Sequence, residues 1–111
     1  MSMDSVESKR AQMRKGLLEF CILLAISHSR RYSSDILTSL KSAGLLVVEG
    51  TLYPLLSRLR AQDLLDYEWE ESTSGPPRKY YALTSAGHET VQELEKTWKE
   101  LHTSIQRLLK Q

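Results

Sequence analysis

Residues 49–59, Glu49-Gly50-Thr51-Leu52-Tyr53-Pro54-Leu55-Leu56-Ser57-Arg58-Leu59, decide how the rest of the chain is read. Leu52, Leu55, Leu56 and Leu59 stand three and four apart, the spacing that gathers side chains on one face of an α-helix. Gly50, Tyr53, Pro54, Ser57, Arg58 and Ala61 fall on the opposite face. The pattern predicts a helix over about Glu49–Gln62 with one apolar and one polar side. Pro54 has no backbone N–H, so it limits how early that helix begins, or it bends it.

Upstream, Ser33 or Ser34 offers an N-cap oxygen to a short helix, with Asp35 favourably placed in its first turn. Ile36, Leu37 and Leu40 form its apolar stripe, and Gly44 is its stop signal. Leu45-Leu46-Val47-Val48 is apolar and β-prone, which predicts a packed connector rather than a loose loop. Farther back, a first helix is expected over about Lys9–Ser27. Its run from Leu17 to Ile26 follows Lys9, Arg10, Arg14 and Lys15, the order of a secretory signal. The run is only about half of the ~20 residues that span a bilayer, and Glu19 interrupts it. A buried first helix is therefore expected, with no membrane partner.

Downstream, Leu65, Tyr67 and Trp69 alternate with Asp66, Glu68 and Glu70, the period of a strand with one buried face. Thr73-Ser74-Gly75-Pro76-Pro77 has turn composition, and Arg78-Lys79-Tyr80-Tyr81-Ala82-Leu83 returns as the second strand of a hairpin. Thr84 is placed to cap a last helix that reaches about Lys110. There Val91, Leu94, Trp98, Leu101, Ile105 and Leu108 are spaced 3, 4, 3, 4 and 3, a narrow heptad seam. A helix packed only on its own chain needs a broader stripe, so this seam predicts a homodimer.

The expected fold is α+β, mostly α. A winged helix-turn-helix with its N-terminal helix occupies residues 1–84, and a long C-terminal dimerisation helix occupies residues 85–111, in one compact unit. A helix of about 10–12 Å diameter fits a major groove about 12 Å wide, and a hairpin beside it can set Arg or Lys on the adjoining backbone. Thr51, Tyr53, Ser57 and Arg58 face outward on the third helix, and the wing offers Arg78 and Lys79. Arg58 can read guanine or hold phosphate, and Arg58 with Arg60 can equally be a solvated helix face.

Composition agrees with an ordered domain, since 41% of the 111 residues are hydrophobic and 26% charged. The net charge of +1 hides an asymmetry. Residues 1–60 carry nine Lys and Arg against five Asp and Glu, whereas residues 61–111 carry six against nine. A basic front half suits a polyanion. The single Cys21 excludes a disulfide scaffold and fits a reducing, cytoplasmic compartment. Catalysis finds no support: His28, His88 and His102 are dispersed, and neither a nucleophile elbow nor a phosphate-binding glycine loop occurs. No metal and no cofactor are expected. A second reading is a winged-helix module that binds protein, because Asp66, Glu68, Glu70 and Glu71 would repel phosphate unless their face turns away.

Glu49 to Leu59, followed by Gly75-Pro76-Pro77-Arg78-Lys79-Tyr80-Tyr81-Ala82-Leu83-Thr84, resembles the signature segments of PadR-type transcriptional regulators. Met13-Arg14-Lys15-Gly16 is similar to the opening of that family's first helix, so the resemblance runs from about residue 13 to the end. The single C-terminal helix resembles the short-tailed subgroup, which includes multidrug-binding repressors. Val48, Ser33-Ser34 and Arg60-Ala61-Gln62-Asp63 depart from the family pattern; a polar residue, a glycine, and an acidic residue with glycine are more usual there.

The resemblance implies a winged-helix dimer held by the first and last helices, which brings Leu17 into the interface. It implies repression of transcription, relieved by a small molecule or a stress signal. It places Thr51 to Pro54 on the recognition helix, Arg78 to Tyr81 on the wing, and Tyr32 near the DNA backbone. It also implies that Trp98 lies in a pore between subunits and stacks planar aromatic compounds. Two Trp98 rings across a two-fold axis could sandwich such a molecule, and Trp98 packing as plain dimer core remains the alternative. Glu19 either lines the same cavity, favouring cationic ligands, or faces solvent.

Overall fold

The structure is a computed structural model and describes residues 3–111; the first two residues of the 1–84 unit lie outside it. The chain runs α1 (Met3–Ile26), β1 (Arg31–Tyr32), α2 (Ser33–Ser42), α3 (Glu49–Ala61), β2 (Leu65–Ser72), β3 (Gly75–Leu83) and α4 (Ser85–Leu109). The strands form one antiparallel sheet in the order β1-β3-β2. Strand β1 is a third strand that the sequence did not announce. Two residues carry no periodicity, and Arg31 and Tyr32 are held only by pairing with Tyr81 and Tyr80.

The core lies where α1, α2, α3 and the sheet meet. Ile22, Leu23, Ile26, Ile36, Leu52, Leu56, Leu59 and Leu65 are fully buried, with Leu40, Tyr81 and Val91 around them. Burying one such aliphatic side chain contributes about 1.5–3 kcal/mol, so this cluster is the main stabilising contact between the elements. Helix α1 begins at Met3 rather than near Lys9, and only its second half packs. From Lys9 to Gly16 its residues are exposed, which helps draw the molecule out to 57 × 33 × 24 Å.

Both helix ends flanking the connector and the hairpin are closed in the same way. After α2, Gly44 at φ 92° donates its N–H to Lys41 O, and Leu45 donates to Leu40 O. After α3, Asp63 at φ 63° donates to Arg60 O, and Leu64 donates to Leu59 O. These are left-handed terminations that satisfy the last carbonyls. Aspartate tolerates this conformation better than most side chains, which explains why Asp63 can stand where a glycine is expected.

Several expectations are corrected. Tyr32, not Ser33 or Ser34, occupies the N-cap of α2, and the Asp35 carboxylate accepts from its backbone N–H at 3.3 Å. The connector is packed as expected at Leu45 and Val47, while Leu46 and Val48 are exposed. Helix α3 starts at Glu49 despite Pro54, and the carbonyl left without that proline's N–H is that of Gly50, close to the helix start. Pro76 and Pro77 belong to β3 rather than to the turn, which is reduced to Thr73-Ser74. They sit opposite Glu71, where the pairing slips between Glu70 and Ser72, a bulge that needs no N–H from either proline.

Thr84 caps α4 as expected. Its Oγ1 accepts from the Gly87 N–H at 2.9 Å and donates to the Asp63 carbonyl at 2.7 Å. One side chain thus joins the end of α3 to the start of α4.

Candidate nucleic-acid interface

Helix α3 sorts its polar residues by direction. Leu52, Leu56 and Leu59 are buried, and Gly50, Pro54, Ser57 and Ala61 form the row farthest from them. Thr51 and Arg58 flank that row on the side of α1. Tyr53 and Arg60 flank it on the side of the sheet. Thr51, Tyr53, Pro54, Ser57 and Arg58 are all exposed, so the DNA-facing residues expected on this helix share one continuous surface.

Two of them are also held by their own chain. The Tyr53 hydroxyl lies 2.9 Å from Ser33 Oγ, a buried group at the start of α2. Arg58 Nη1 lies 3.2 Å from Glu19 Oε1 on α1. Glu19, considered above as a ligand group, is therefore engaged by α3.

The hairpin separates Arg78 from Lys79, because neighbouring residues on a strand point to opposite faces. Cross-strand partners share a face, so Trp69 with Lys79 and Tyr67 with Tyr81 form one side. Glu70 with Arg78 and Glu68 with Tyr80 form the other. On that second side Arg30 pairs with Glu70 and lies 3.4 Å from Glu68, and its guanidinium sits 4.9 Å from the Tyr80 ring centre. Arg78 covers the Tyr32 ring at 4.9 Å, and Tyr32 tilts against Tyr80 at 5.9 Å. Tyr32 and Arg78 thus belong to one cluster, and Arg30 pairs with two carboxylates of the acidic strand face.

The first side differs. Lys79 Nζ stands 4.3 Å from the Tyr67 ring centre and 5.2 Å from that of Trp69, and Arg60 lies 4.4 Å over Tyr67 from α3. Leu56, Ser57, Arg60, Tyr67, Lys79 and Tyr81 line a cleft of about 160 Å³ between α3 and the sheet. Trp69 was expected on a buried face, yet it is 61% exposed, because the apolar side of β2 ends at Tyr67 as the hairpin leaves the core. Arg60, Trp69 and Arg30 are not among the site residues expected from the sequence. Alternation hinted at Trp69, but only the fold brings Arg60 and Arg30 to the hairpin.

Helix α4 divides at Leu94. Val91 is buried in the chain's own core and Leu94 is packed against it, so these two seam residues anchor α4 within the protomer. Trp98, Leu101, Ile105 and Leu108 are 41–64% exposed and lie beyond that core. The Trp98 ring lies 5.8 Å from that of His102 between centres. Leu17 on α1 is half-buried. Burial raises the Cys21 thiol above its ordinary range, which makes it a poor nucleophile. Among the described residues no helix is long and apolar enough to cross a membrane.

A PadR-like transcription factor from Bacteroides fragilis is 55% identical, with 91% of this chain and 98% of that one aligned at a TM-score of 0.78. A PadR family transcriptional regulator from Eggerthella lenta is 35% identical over 96% of this chain and 93% of its own, at a TM-score of 0.85. A PadR-like transcriptional regulator from Bacillus cereus is 39% identical over 88% and 96%, at 0.80. The family model for PadR-like transcriptional regulators matches residues 22–93, from the core of α1 through the wing to the point where α4 leaves the core. The chain belongs to the PadR-like family of transcriptional regulators.

Proposed function

We propose that this PadR-like regulator is a cytoplasmic homodimer that represses transcription from a pseudo-palindromic operator and releases it on binding a planar aromatic molecule or on a stress signal. Regulators of this family bind DNA and are not enzymes. The protein-docking alternative rested on the acidic hairpin strand, and Arg30 pairs with two of its carboxylates, Glu68 and Glu70. The observation that carries the reading is the bare outer face of α3. Thr51, Pro54, Ser57 and Arg58 are exposed there, beside a wing that offers Arg78 on one side and Lys79 on the other. In this reading Tyr32, Tyr53 and the wing cations grip the backbone, while Arg58 and Ser57 reach base edges.

The dimer reading has its own support. Trp98, Leu101, Ile105 and Leu108 form an apolar stripe beyond the chain's core, a costly surface unless a partner covers it. With Leu17 on α1, a second copy would complete it and set two recognition helices about 34–36 Å apart, one helical turn of DNA. Residues 85–111 then serve as the dimerisation helix of the winged unit formed by residues 1–84. The two Trp98 rings would face each other across the two-fold axis, at the right place for a flat aromatic guest.

Fluorescence anisotropy tests this with two labelled duplexes of equal length, one from upstream of the protein's own gene and one scrambled, each at two salt concentrations. Tight, salt-sensitive binding that favours the first duplex is expected. Equally weak binding to both would remove the operator from the reading.

A further inference from the structure

Resting on the DNA-binding reading above, we infer that the cleft between α3 and the wing is a phosphate clamp, in which Arg60 and Lys79 receive one backbone phosphate and Trp69 packs on the adjoining deoxyribose. Neither Arg60 nor Trp69 belongs to the contacts assigned so far. Arg60 stands on the sheet side of α3, Lys79 and Trp69 form a cross-strand pair on β3 and β2, and both cations stand within 4.4 Å of the Tyr67 ring centre. Two positive groups therefore converge on one ring from two elements, with Ser57 on the rim of the same cleft.

Charge decides which occupant fits. The hairpin carboxylates Glu68 and Glu70 lie on the other face and are held by Arg30, and neither Arg60 nor Lys79 forms an ion pair among the described residues. Each has only an aromatic face, which leaves its N–H donors free to turn outward. Arg60 is exposed and Lys79 half-buried over their rings, so their N–H donors are open to water and exchange it for charge-assisted hydrogen bonds when a phosphate enters. The cleft is also continuous with Ser57 on the exposed row of α3, so a duplex lying along that helix passes its sugar-phosphate strand over it. An indole that is 61% exposed at the edge of this pair is placed to cover a sugar.

The salt dependence of binding separates these roles. Arg60→Gln keeps the length of the side chain and removes its charge, Trp69→Phe and Trp69→Ala grade the apolar cover, and Lys110→Gln at the end of α4 controls for net charge. Each variant is titrated against the duplex that the wild type binds, with circular dichroism reporting the fold. Losing one phosphate contact in each protomer, as Arg60→Gln together with Lys79→Gln does, lowers the slope of log affinity against log salt by about two, and Arg60→Gln alone lowers it by a smaller amount. Over a change from about 50 to about 200 mM salt, the wild type should then lose about tenfold more affinity than the double variant. Trp69→Ala should weaken binding equally on the operator and the scrambled duplex, Trp69→Phe less so, and Lys110→Gln should match the wild type. If the wild type binds and Arg60→Gln keeps its slope, the clamp is wrong and the DNA-binding reading stands. If the wild type binds neither duplex, both fall.

Discussion

Arg58 on α3 places Nη1 3.2 Å from Oε1 of Glu19 on α1, so the helix expected in the groove is tied to one expected in the dimer contact. Both side chains are partly in water, where such a pair contributes roughly 0–1 kcal/mol. DNA therefore competes with Glu19 for Arg58 at little cost. Glu19→Gln should leave the urea midpoint nearly unchanged and raise operator affinity by up to about fivefold, the binding equivalent of that energy. Anisotropy titration measures it; weaker binding would mean that Glu19 orients Arg58 rather than restraining it.

Tyr53 has a structural bond as well as an exposed face. Its hydroxyl partners Ser33 Oγ, which is buried, so Tyr53→Phe leaves that hydroxyl unpaired and should cost about 1–2 kcal/mol in chemical denaturation. Operator binding separates the other role. Tyr53→Ala and Lys79→Ala should each weaken it while sedimentation still shows dimers, and unchanged binding in both would remove these residues from the interface.

Gly87 marks how closely α4 approaches the end of α3. A Cβ at this position would overlap the Leu64 carbonyl oxygen and lie 3.3 Å from Leu83 Cβ. Backbone cannot yield as a side chain does, so Gly87→Ala should destabilise the fold by about 1–3 kcal/mol. Gly16, in helix α1 with open space around it, predicts the reverse: Gly16→Ala should stabilise by about 0.5–1 kcal/mol. Thermal melts of the two variants moving in the same direction would contradict this.

The helices were legible because burial follows periodicity at Leu52, Leu56 and Leu59, and because Gly44 and Thr84 carry local stop and cap chemistry. Strand β1 was not, since Arg31 and Tyr32 are extended only by pairing with β3. Trp69 was misread for a related reason: alternation tells which residues share a face, not how far along a strand the core extends. The outer row of α3 was readable from one helix alone. The grouping of Arg60 with Lys79, and of Arg30 with Glu68 and Glu70, joins residues distant in sequence, and no local spacing encodes such meetings.

The distal half of α4 predicts the assembly. Leu101→Glu with Ile105→Glu sets four charges into the apolar stripe of a dimer and should give monomers by sedimentation at concentrations where the wild type is paired. Val91→Ala should act differently, because Val91 is buried within its own protomer; it should lower the melting temperature of the fold and leave pairing intact. A dimer that survives the double substitution would place the interface on another surface.

Trp98 predicts the effector chemistry, and Trp69 complicates its measurement, since both indoles are exposed and both fluoresce. In a Trp69→Phe background the emission of Trp98 is read alone. A planar aromatic compound stacked between two such rings should quench it saturably and lower operator affinity in the same concentration range, because one site then links both effects. Trp98→Ala should abolish the release of DNA while Leu101 and Ile105 keep the dimer together. Quenching that rises linearly without saturation, or release that persists in Trp98→Ala, would leave Trp98 as packing in the helix seam, where aromatic residues at heptad spacing also belong.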